Sequence, residues 1–180
     1  MKKMFEKTLK KTLKYVGNVL RVREDEVEVA GGIRSKRDVI EHCGGVCIAL
    51  KDTDGKYFMV EQFRYAQSKV MLEFPAGKLE ENEDKLECVK REIIEEVGYS
   101  GKNFDYVGMI VPTPSYCQEI IYLYSAEVSE YLGQNLDEDE VLNVKKYSLD
   151  EILEMIMNKE IEDSKTINLA LILNHMKNNG

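Results

Sequence analysis

The chain has 180 residues, of which 43% are hydrophobic and 32% charged, and its net charge is −8. This length and composition predict one globular domain with a buried core and exclude wholesale disorder. The negative charge argues against a nucleic-acid surface, and no apolar run approaches the roughly 20 residues that span a bilayer, so we expect neither nucleic acid nor a membrane as a partner.

The lysine-rich N-terminal segment MKKMFEKTLKKTLKYV lacks the continuous apolar stretch and the cleavage site of a targeting peptide. We therefore expect a solvated segment that leads into a strand. The four cysteines form no CxxC pair and the chain has only two histidines, which argues against a structural zinc site. Four reduced thiols are typical of a cytoplasmic protein, and this is the location that we predict.

Strands are predicted over the first half of the chain, where apolar and polar residues alternate or short apolar runs stand between turn residues. They cover residues 19–29, 37–41, 45–49 and 57–63, and a further strand ends within residues 72–77. The stretch from Lys51 to Lys56, rich in Asp and Gly, predicts the hairpin connection between the third and fourth of these strands.

The clearest helix is predicted over residues 83–97. Its apolar residues Leu86, Val89, Ile93 and Val97 recur at helical spacing, and Gly98 is a typical C-cap. Strands at 106–111, 119–128 and 141–147, a helix that opens with a capping box at 148–151, and a last helix at 164–177 complete the chain. This order favours a mixed α+β fold over a doubly wound parallel sheet.

Three acidic side chains, Glu92, Glu95 and Glu96, share one face of the predicted helix, because residues three and four apart are neighbours. Carboxylates at close range raise one another's pKa and cost helix stability. A bound divalent cation reverses that penalty, and oxygen ligands at this density suit Mg²⁺ or Mn²⁺ together with a substrate phosphate. A solvated, glutamate-rich helix face is the alternative. Arg91 is placed to pair with Glu95.

The same stretch resembles the Nudix box, G-x5-E-x7-R-E-U-x-E-E-x-G-U, where U is an aliphatic residue. The matching residues are Gly77, Glu83, Arg91, Glu92, Ile93, Glu95, Glu96, Gly98 and Tyr99, of which only the aromatic Tyr99 departs from the pattern. The resemblance implies the α+β Nudix fold, a mixed β-sheet sandwiched between α-helices, with extra N-terminal strands. We expect residues 1–40 to form those strands, which in similar proteins join two subunits, and residues 41–180 to form the Nudix hydrolase domain.

The resemblance also implies metal-dependent hydrolysis of a nucleoside diphosphate linked to another group. The implied metal ligands are Glu92, Glu95, Glu96 and the carbonyl oxygen of Ala76, with Glu92 and Glu96 as the main catalytic carboxylates. Mg²⁺ is the expected cofactor, with Mn²⁺ as the alternative. Glu83 and Arg91 are implied to pair and to hold the loop.

Segments outside the box resemble the ADP-ribose pyrophosphatase branch of that family. They lie at residues 37–42, 61–66, 72–77, 136–140 and 161–166, and a proline at 114 follows the box. By this resemblance Glu138 is the general base, with Glu140 as the second choice. The substrate-binding residues that it implies are Arg37, Arg64 and Pro114, and the implied assembly is a homodimer.

Three functions are compatible with these residues. The first is Mg²⁺-dependent hydrolysis of ADP-ribose to AMP and ribose 5-phosphate. The second is hydrolysis of another nucleotide sugar or of a dinucleoside polyphosphate, since a tyrosine near the proline, here Tyr116, is similar to the diadenosine-polyphosphate branch. The third is a non-catalytic sensor of ADP-ribose. The intact set of three glutamates argues against the sensor, which has no need of metal ligands.

Overall fold

The computed structural model describes residues 4–136 and 140–179 of the chain. The chain forms two compact units. The first consists of the residues up to Gly44 together with the separate segment Val111–Ile120. The second unit comprises Gly45–Ile110 and the chain from Ile121 onward.

The first unit contains a three-stranded antiparallel sheet in the order β1-β2-β3. Its strands are β1 (Lys7–Val16), β2 (Arg21–Val29) and β3 (Ile33–Glu41). In the central strand β2, the alternate residues Arg23, Asp25 and Val27 are buried. Arg23 Nε donates to Asp25 Oδ1 at 2.9 Å, so the buried charges are paired, as burial requires.

The N-terminal segment differs from the expectation, because Lys7–Val16 is itself a strand rather than a solvated lead into one. Its pairing with β2 has irregularities between Thr8 and Lys10 and between Leu13 and Tyr15. Each irregularity interrupts the strict alternation of side chains on which recognition of a strand depends. The strand therefore has no period of two in its sequence, and its two leucines lie four residues apart, as in a helix.

The second unit is built on a seven-stranded sheet. Its strands are β4 (Gly45–Lys51), β5 (Tyr57–Arg64), β6 (Lys69–Glu73), β7 (Ala76–Lys78), β8 (Tyr99–Ile110), β9 (Ile121–Tyr131) and β10 (Leu142–Tyr147). The main path runs β10-β5-β4-β9-β8, while β6 pairs with β5 and β7 with β4. The pair β4–β9 is parallel and the other pairs are antiparallel, so the sheet is mixed, as predicted.

Helices cover both faces of this sheet. They are α1 (Lys85–Glu92), which continues as a π-helical turn over Ile93–Val97, α2 (Leu149–Met157) and α3 (Ser164–Asn179). Strand β4 is apolar on both faces, as a central strand must be. Its Ile48 lies in one core cluster with Val89 of α1, and its Ala49 lies in a second with Ile152 of α2 and Leu169 of α3. The predicted sandwich is confirmed.

Local sequence explains where these helices begin and end. Asp84 caps α1 by accepting hydrogen bonds from the backbone N–H groups of Leu86 and Glu87, and Gly98 ends the π turn at a φ of +81°, which glycine adopts without strain. The predicted capping box of α2 is present at Ser148 and Glu151. Within the described residues, no helix has the length and apolar character needed to cross a membrane.

Candidate active site

Two carboxylates of the α1 region are buried against the core. Glu92 is 8% exposed and Glu96 is 2% exposed. They are buried because their neighbours Val89, Ile93 and Val97 pack in the hydrophobic core and hold this stretch of helix against it. Glu95 remains partly exposed, so the three glutamates predicted to share a face differ in their contact with water.

The short strand β7 supplies the floor beneath these carboxylates. The backbone N–H of Ala76 donates to Glu96 Oε2 at 3.0 Å. A Cβ atom built on Gly77 would lie 1.8 Å from the carboxyl carbon of Glu92. A larger residue at this position would occupy the space of the Glu92 carboxylate, so that side chain would have to move.

Arg91 organises the outer side of the cluster. Its Nη1 donates to Glu92 Oε1 and to Glu95 Oε2, both at 2.8 Å. Its Nε and Nη2 bond to the two carboxylate oxygens of Glu83 at 2.9 and 3.0 Å. The expected Glu83–Arg91 pair is therefore present. In the described part of the chain no three acidic, histidine or cysteine side chains converge as a metal site, and Arg91 bridges Glu92 and Glu95.

Burial makes the negative charges of this pair unfavourable. It raises the pKa of Glu92 to about 7, although Arg91 opposes the rise, and Glu95 and Glu140 add to it. Burial raises the pKa of Glu96 to about 8, against the hydrogen bond from Ala76, and Glu92 and Glu140 add to it. Two buried carboxylates, each of which accepts one hydrogen bond from the described residues, lie beside a glycine that leaves room for them. They fit a divalent cation, which would offset their repulsion.

The segment that follows β9 is bonded to the carbonyl end of the π turn. The backbone N–H of Asn135 donates to the carbonyl oxygen of Glu95 at 3.1 Å, and Gln134 Nε2 donates to that of Glu96 at 2.6 Å. The N–H groups of Leu132 and Gly133 both donate to Gly98. These bonds satisfy carbonyls that a helix leaves without partners at its C-terminal end.

The acidic segment that was predicted to carry the general base is described only in part. Glu138 lies outside the described residues, and its role stays a prediction. Glu140, the second choice, lies inside them, and its Oε1 accepts a hydrogen bond from Gln62 Nε2 at 3.1 Å. Its charge acts on both Glu92 and Glu96, whose pKa values it raises.

A model of the NUDIX domain matches residues 41–169 of the chain, which is more than half of its length. The chain belongs to the Nudix hydrolase family. The match includes the helix, both glycines and the four acidic residues of the Nudix box described above.

Three relatives indicate the range of proteins that this Nudix hydrolase resembles. It is 38% identical over 170 residues to a methanol dehydrogenase activator of Bacillus methanolicus, covering 93% of this chain and 92% of that protein. It is 34% identical over 168 residues to an ADP-ribose pyrophosphatase of Bacillus subtilis (strain 168), covering 92% and 91%. It is 32% identical over 155 residues to a GDP-mannose pyrophosphatase of Escherichia coli (strain K12), covering 81% and 79%.

A solved structure supports the fold. The crystal structure of an ADP compounds hydrolase superposes with a TM-score of 0.86 over 100% of this chain and 99% of that one. The two sequences are only 16% identical, so this likeness shows the Nudix fold and carries no statement about substrate.

The substrate-binding residues predicted for this Nudix hydrolase fall in both units. Arg64 lies in the second unit and makes a two-pronged ion pair with Glu73, at 2.8 and 2.7 Å. Arg37, in the first unit, makes a similar pair with Glu6, at 2.9 and 2.7 Å. Pro114 lies in a turn of the first unit. The substrate contacts of these residues stay predictions.

Sequence reasoning assigned no role to two residues that bond to groups of the proposed site, namely Glu73, which pairs with Arg64, and Gln134, which donates to the carbonyl oxygen of Glu96. Glu73 was noted only as part of a matching segment, although a glutamate between Leu72 and Phe74 is a sign of a buried charge. Gln134 carried no signal, because its bond to Glu96 joins residues far apart in the chain.

Replacing Gly77 by alanine is expected to weaken Mn²⁺ binding by about tenfold or more, because the new methyl group must displace the carboxylate of Glu92. The φ angle of Gly77 lies outside the left-handed region, so alanine brings no backbone strain there. Paramagnetic resonance of Mn²⁺ titrated into both proteins measures the effect. Wild-type affinity in the variant would show that Glu92 takes no part in metal binding.

Proposed function

We propose that this chain is a Mg²⁺-dependent pyrophosphohydrolase that converts ADP-ribose and water into AMP and ribose 5-phosphate. The observation that carries the proposal is the pair of buried carboxylates, Glu92 and Glu96, packed against β7 in the Nudix box. The choice of substrate is supported by the similarity, over nearly the whole chain, to the ADP-ribose pyrophosphatase of Bacillus subtilis.

The metal ligands in this proposal are Glu92, Glu95, Glu96 and the carbonyl oxygen of Ala76, around Mg²⁺ or Mn²⁺. When bound, the cation would supply positive charge. This charge would offset the negative charge of the diphosphate and draw electron density from the phosphorus. Arg91 would release Nη1 from Glu92 and Glu95 but keep Glu83 through Nε and Nη2, so the loop stays fixed.

Other residues act on the substrate and on the attacking water. Arg64 would donate to an oxygen of the diphosphate, because a guanidinium matches the geometry of phosphate oxygens. A water oxygen bonds to one phosphorus, the bond from that phosphorus to the bridging oxygen breaks, and the bridging oxygen remains with the other phosphate. The proton of the water passes to a carboxylate, for which Glu138 and Glu140 are the two candidates. Arg37 and Pro114 complete the substrate contacts in this proposal.

We also propose that the protein is a homodimer joined through its N-terminal strands and that it is cytoplasmic. Strand β1 lies at an edge of its sheet and carries partly exposed Leu9, Leu13 and Tyr15, as an edge that pairs with a second chain would. The four cysteines, all free thiols, suit a reducing compartment. Light scattering on the purified chain tests the dimer by its mass.

A different nucleotide sugar is the second candidate substrate. It is supported by the similarity to the GDP-mannose pyrophosphatase of Escherichia coli. The box itself does not distinguish the two, because its residues act on the diphosphate that both substrates contain.

A substrate panel tests the assignment. We expect Mg²⁺ and the protein to release AMP and ribose 5-phosphate from ADP-ribose, with a higher kcat/KM than for GDP-mannose or diadenosine polyphosphates, and EDTA to abolish release. Chromatography of the products measures this. Preference for another member of the panel would contradict the ADP-ribose assignment, and binding of ADP-ribose without turnover would contradict the hydrolase.

A further inference from the structure

A network of buried charges joins strands β5 and β6 to the start of helix α3. Glu73 accepts two hydrogen bonds from Arg64, at 2.8 and 2.7 Å, and a third from Lys165. Lys165 Nζ also lies 3.0 Å from Asp163 Oδ1. Two positive and two negative side chains thus form a balanced set of four, which we call the Glu73 network.

The burial of this network shows that it is more than a surface ion pair. The side chain of Glu73 is 2% exposed and that of Lys165 is 12% exposed. Burial lowers the pKa of Lys165, and Asp163 and Glu73 more than reverse that effect, so the pKa lies above its ordinary value. Burial raises the pKa of Glu73, and Arg64 and Lys165 reverse it in the same way. The charges of Glu73 and Lys165 are therefore stabilised by their partners in the set.

The start of helix α3 also holds the backbone that leads to the proposed metal site. Asp163 Oδ2 accepts hydrogen bonds from the N–H of Thr166 at 2.9 Å and from its hydroxyl at 2.6 Å. The hydroxyl oxygen of Thr166 in turn accepts from the N–H of Phe74 at 2.9 Å. Phe74 lies two residues before Ala76, so the start of α3 holds both the side chain of Glu73 and the backbone of the residue that follows it.

Arg64 stands at the open end of the network. Its positive charge acts on Glu96, whose pKa it lowers. Its Nε and Nη2 are occupied by Glu73, whereas Nη1 has no hydrogen-bond partner among residues 4–136 and 140–179. A guanidinium held on one edge and open on another presents a donor in a fixed direction.

We propose that Lys165 and Asp163 are positioning residues that hold Glu73, and through Glu73 orient Arg64 toward the diphosphate of the substrate. This inference rests on the proposed function, since it concerns the same site. Without Lys165 the Glu73 carboxylate loses one of its fixed donors, and Arg64 then loses the rigid partner that sets the direction of Nη1. The effect reaches substrate binding through Arg64 alone and leaves the metal carboxylates in place.

A double-mutant cycle on Arg64 and Lys165 tests the proposal. Lys165→Met is expected to lower kcat/KM for ADP-ribose by roughly 10- to 100-fold, mainly through KM, with unchanged Mn²⁺ affinity. In the Arg64→Gln background the same replacement is expected to change kcat/KM by less than about twofold, because its route to the substrate is already lost. An equal loss in both backgrounds, or a matching loss of Mn²⁺ affinity, would overturn the proposal.

A neighbouring ion pair provides the matched control. Lys69 of β6 pairs with Glu162, one residue before Asp163, but both side chains are about half exposed. Lys69→Met removes a link between the same two segments without touching the Glu73 network. It is expected to leave KM within about twofold of wild type, as exposed pairs contribute little. A loss equal to that of Lys165→Met would mean that any link between these segments suffices, and would refute the role of the network.

A second pair of variants covers the case in which the double variant does not fold. Asp163→Asn keeps a good N-cap and removes one charge, and combined with Arg64→Gln it leaves the opposite charges of Glu73 and Lys165 to pair. We expect it to raise KM in wild type and to have no further effect in the Arg64→Gln background. Equal effects in both would again refute the proposal.

Calorimetric binding of ADP separates a failure of this proposal from a failure of the proposed function. If wild type binds ADP but does not hydrolyse ADP-ribose, the proposed function fails. The network is then still supported if Lys165→Met weakens ADP binding only when Arg64 is present. If wild type hydrolyses ADP-ribose and the cycle shows no coupling, only the network proposal fails.

Discussion

Replacing Glu96 by glutamine is expected to lower kcat by on the order of 10³-fold, because one negative charge is lost from the proposed metal site while its shape is kept. The variant should remain folded. Burial raises the pKa of Glu96 to about 8, so in the metal-free protein the ionised form is the unfavourable one. An uncharged amide in the same place should therefore make the metal-free variant more stable than wild type above about pH 4.5, by an amount that grows until about pH 8.

Steady-state hydrolysis of ADP-ribose and thermal melting of the metal-free protein together measure this effect. Glu87→Gln is the matched control, since Glu87 lies on the same helix, is exposed and pairs with Lys90. The control should retain full turnover. If Glu96→Gln turned over at the wild-type rate, the buried carboxylate of Glu96 would have no role in catalysis.

Replacing Glu83 by glutamine is expected to destabilise the fold by about 2 kcal/mol near neutral pH, which corresponds to a melting temperature lower by roughly 6 °C for a chain of this size. The Glu83 side chain is 14% exposed, bonds to Arg91 through both oxygens and also accepts from the N–H of Glu80 at 2.9 Å. Glutamine keeps part of this geometry but loses the charge that Arg91 binds.

The same substitution should show a defined pH dependence. Arg91 is the main cause that lowers the pKa of Glu83 to about 2, from an ordinary value of 4.5. A carboxylate with a depressed pKa in the folded state stabilises that state above its unfolded pKa, and loses the contribution as the pH falls toward the folded value. The difference between wild type and variant should therefore be full above about pH 5 and shrink between 4.5 and 2.

Denaturant unfolding at several pH values measures the difference, with Glu81→Gln as a control on an exposed neighbour. The control should match wild type throughout. A difference for Glu83→Gln that stays constant from neutral pH down to about pH 2 would show that the ion pair with Arg91 is not its source.

Local patterns in the sequence were sufficient to predict the Nudix helix and its ion pair. The stripe through Val89, Ile93 and Val97 is a property of neighbouring turns, and Glu83 pairs with Arg91 within one loop and helix. The alternation of Ile48 and Ala49 between two core clusters likewise follows from the period of a strand.

Features that depend on distant parts of the chain were not predictable in this way. The bond from Gln134 to Glu96 and that from Lys165 to Glu73 join residues that only the folded sheet brings together. Strand β1 was missed because irregular pairing removes its periodicity. The π turn was missed because it leaves the apolar pattern unchanged. Ile93 and Val97 lie in the core whether this stretch is a regular α-helix or contains one wider turn.

The bonds between the π turn and residues 132–135 have a consequence for exchanging loops within this family. Gln134 and Asn135 serve as the C-terminal cap of the helix that carries Glu95 and Glu96. A graft that replaces the segment after β9 with that of another Nudix protein would, if it began at residue 132, also remove that cap. The transplant should begin after Asn135, so that the helix end keeps its donors.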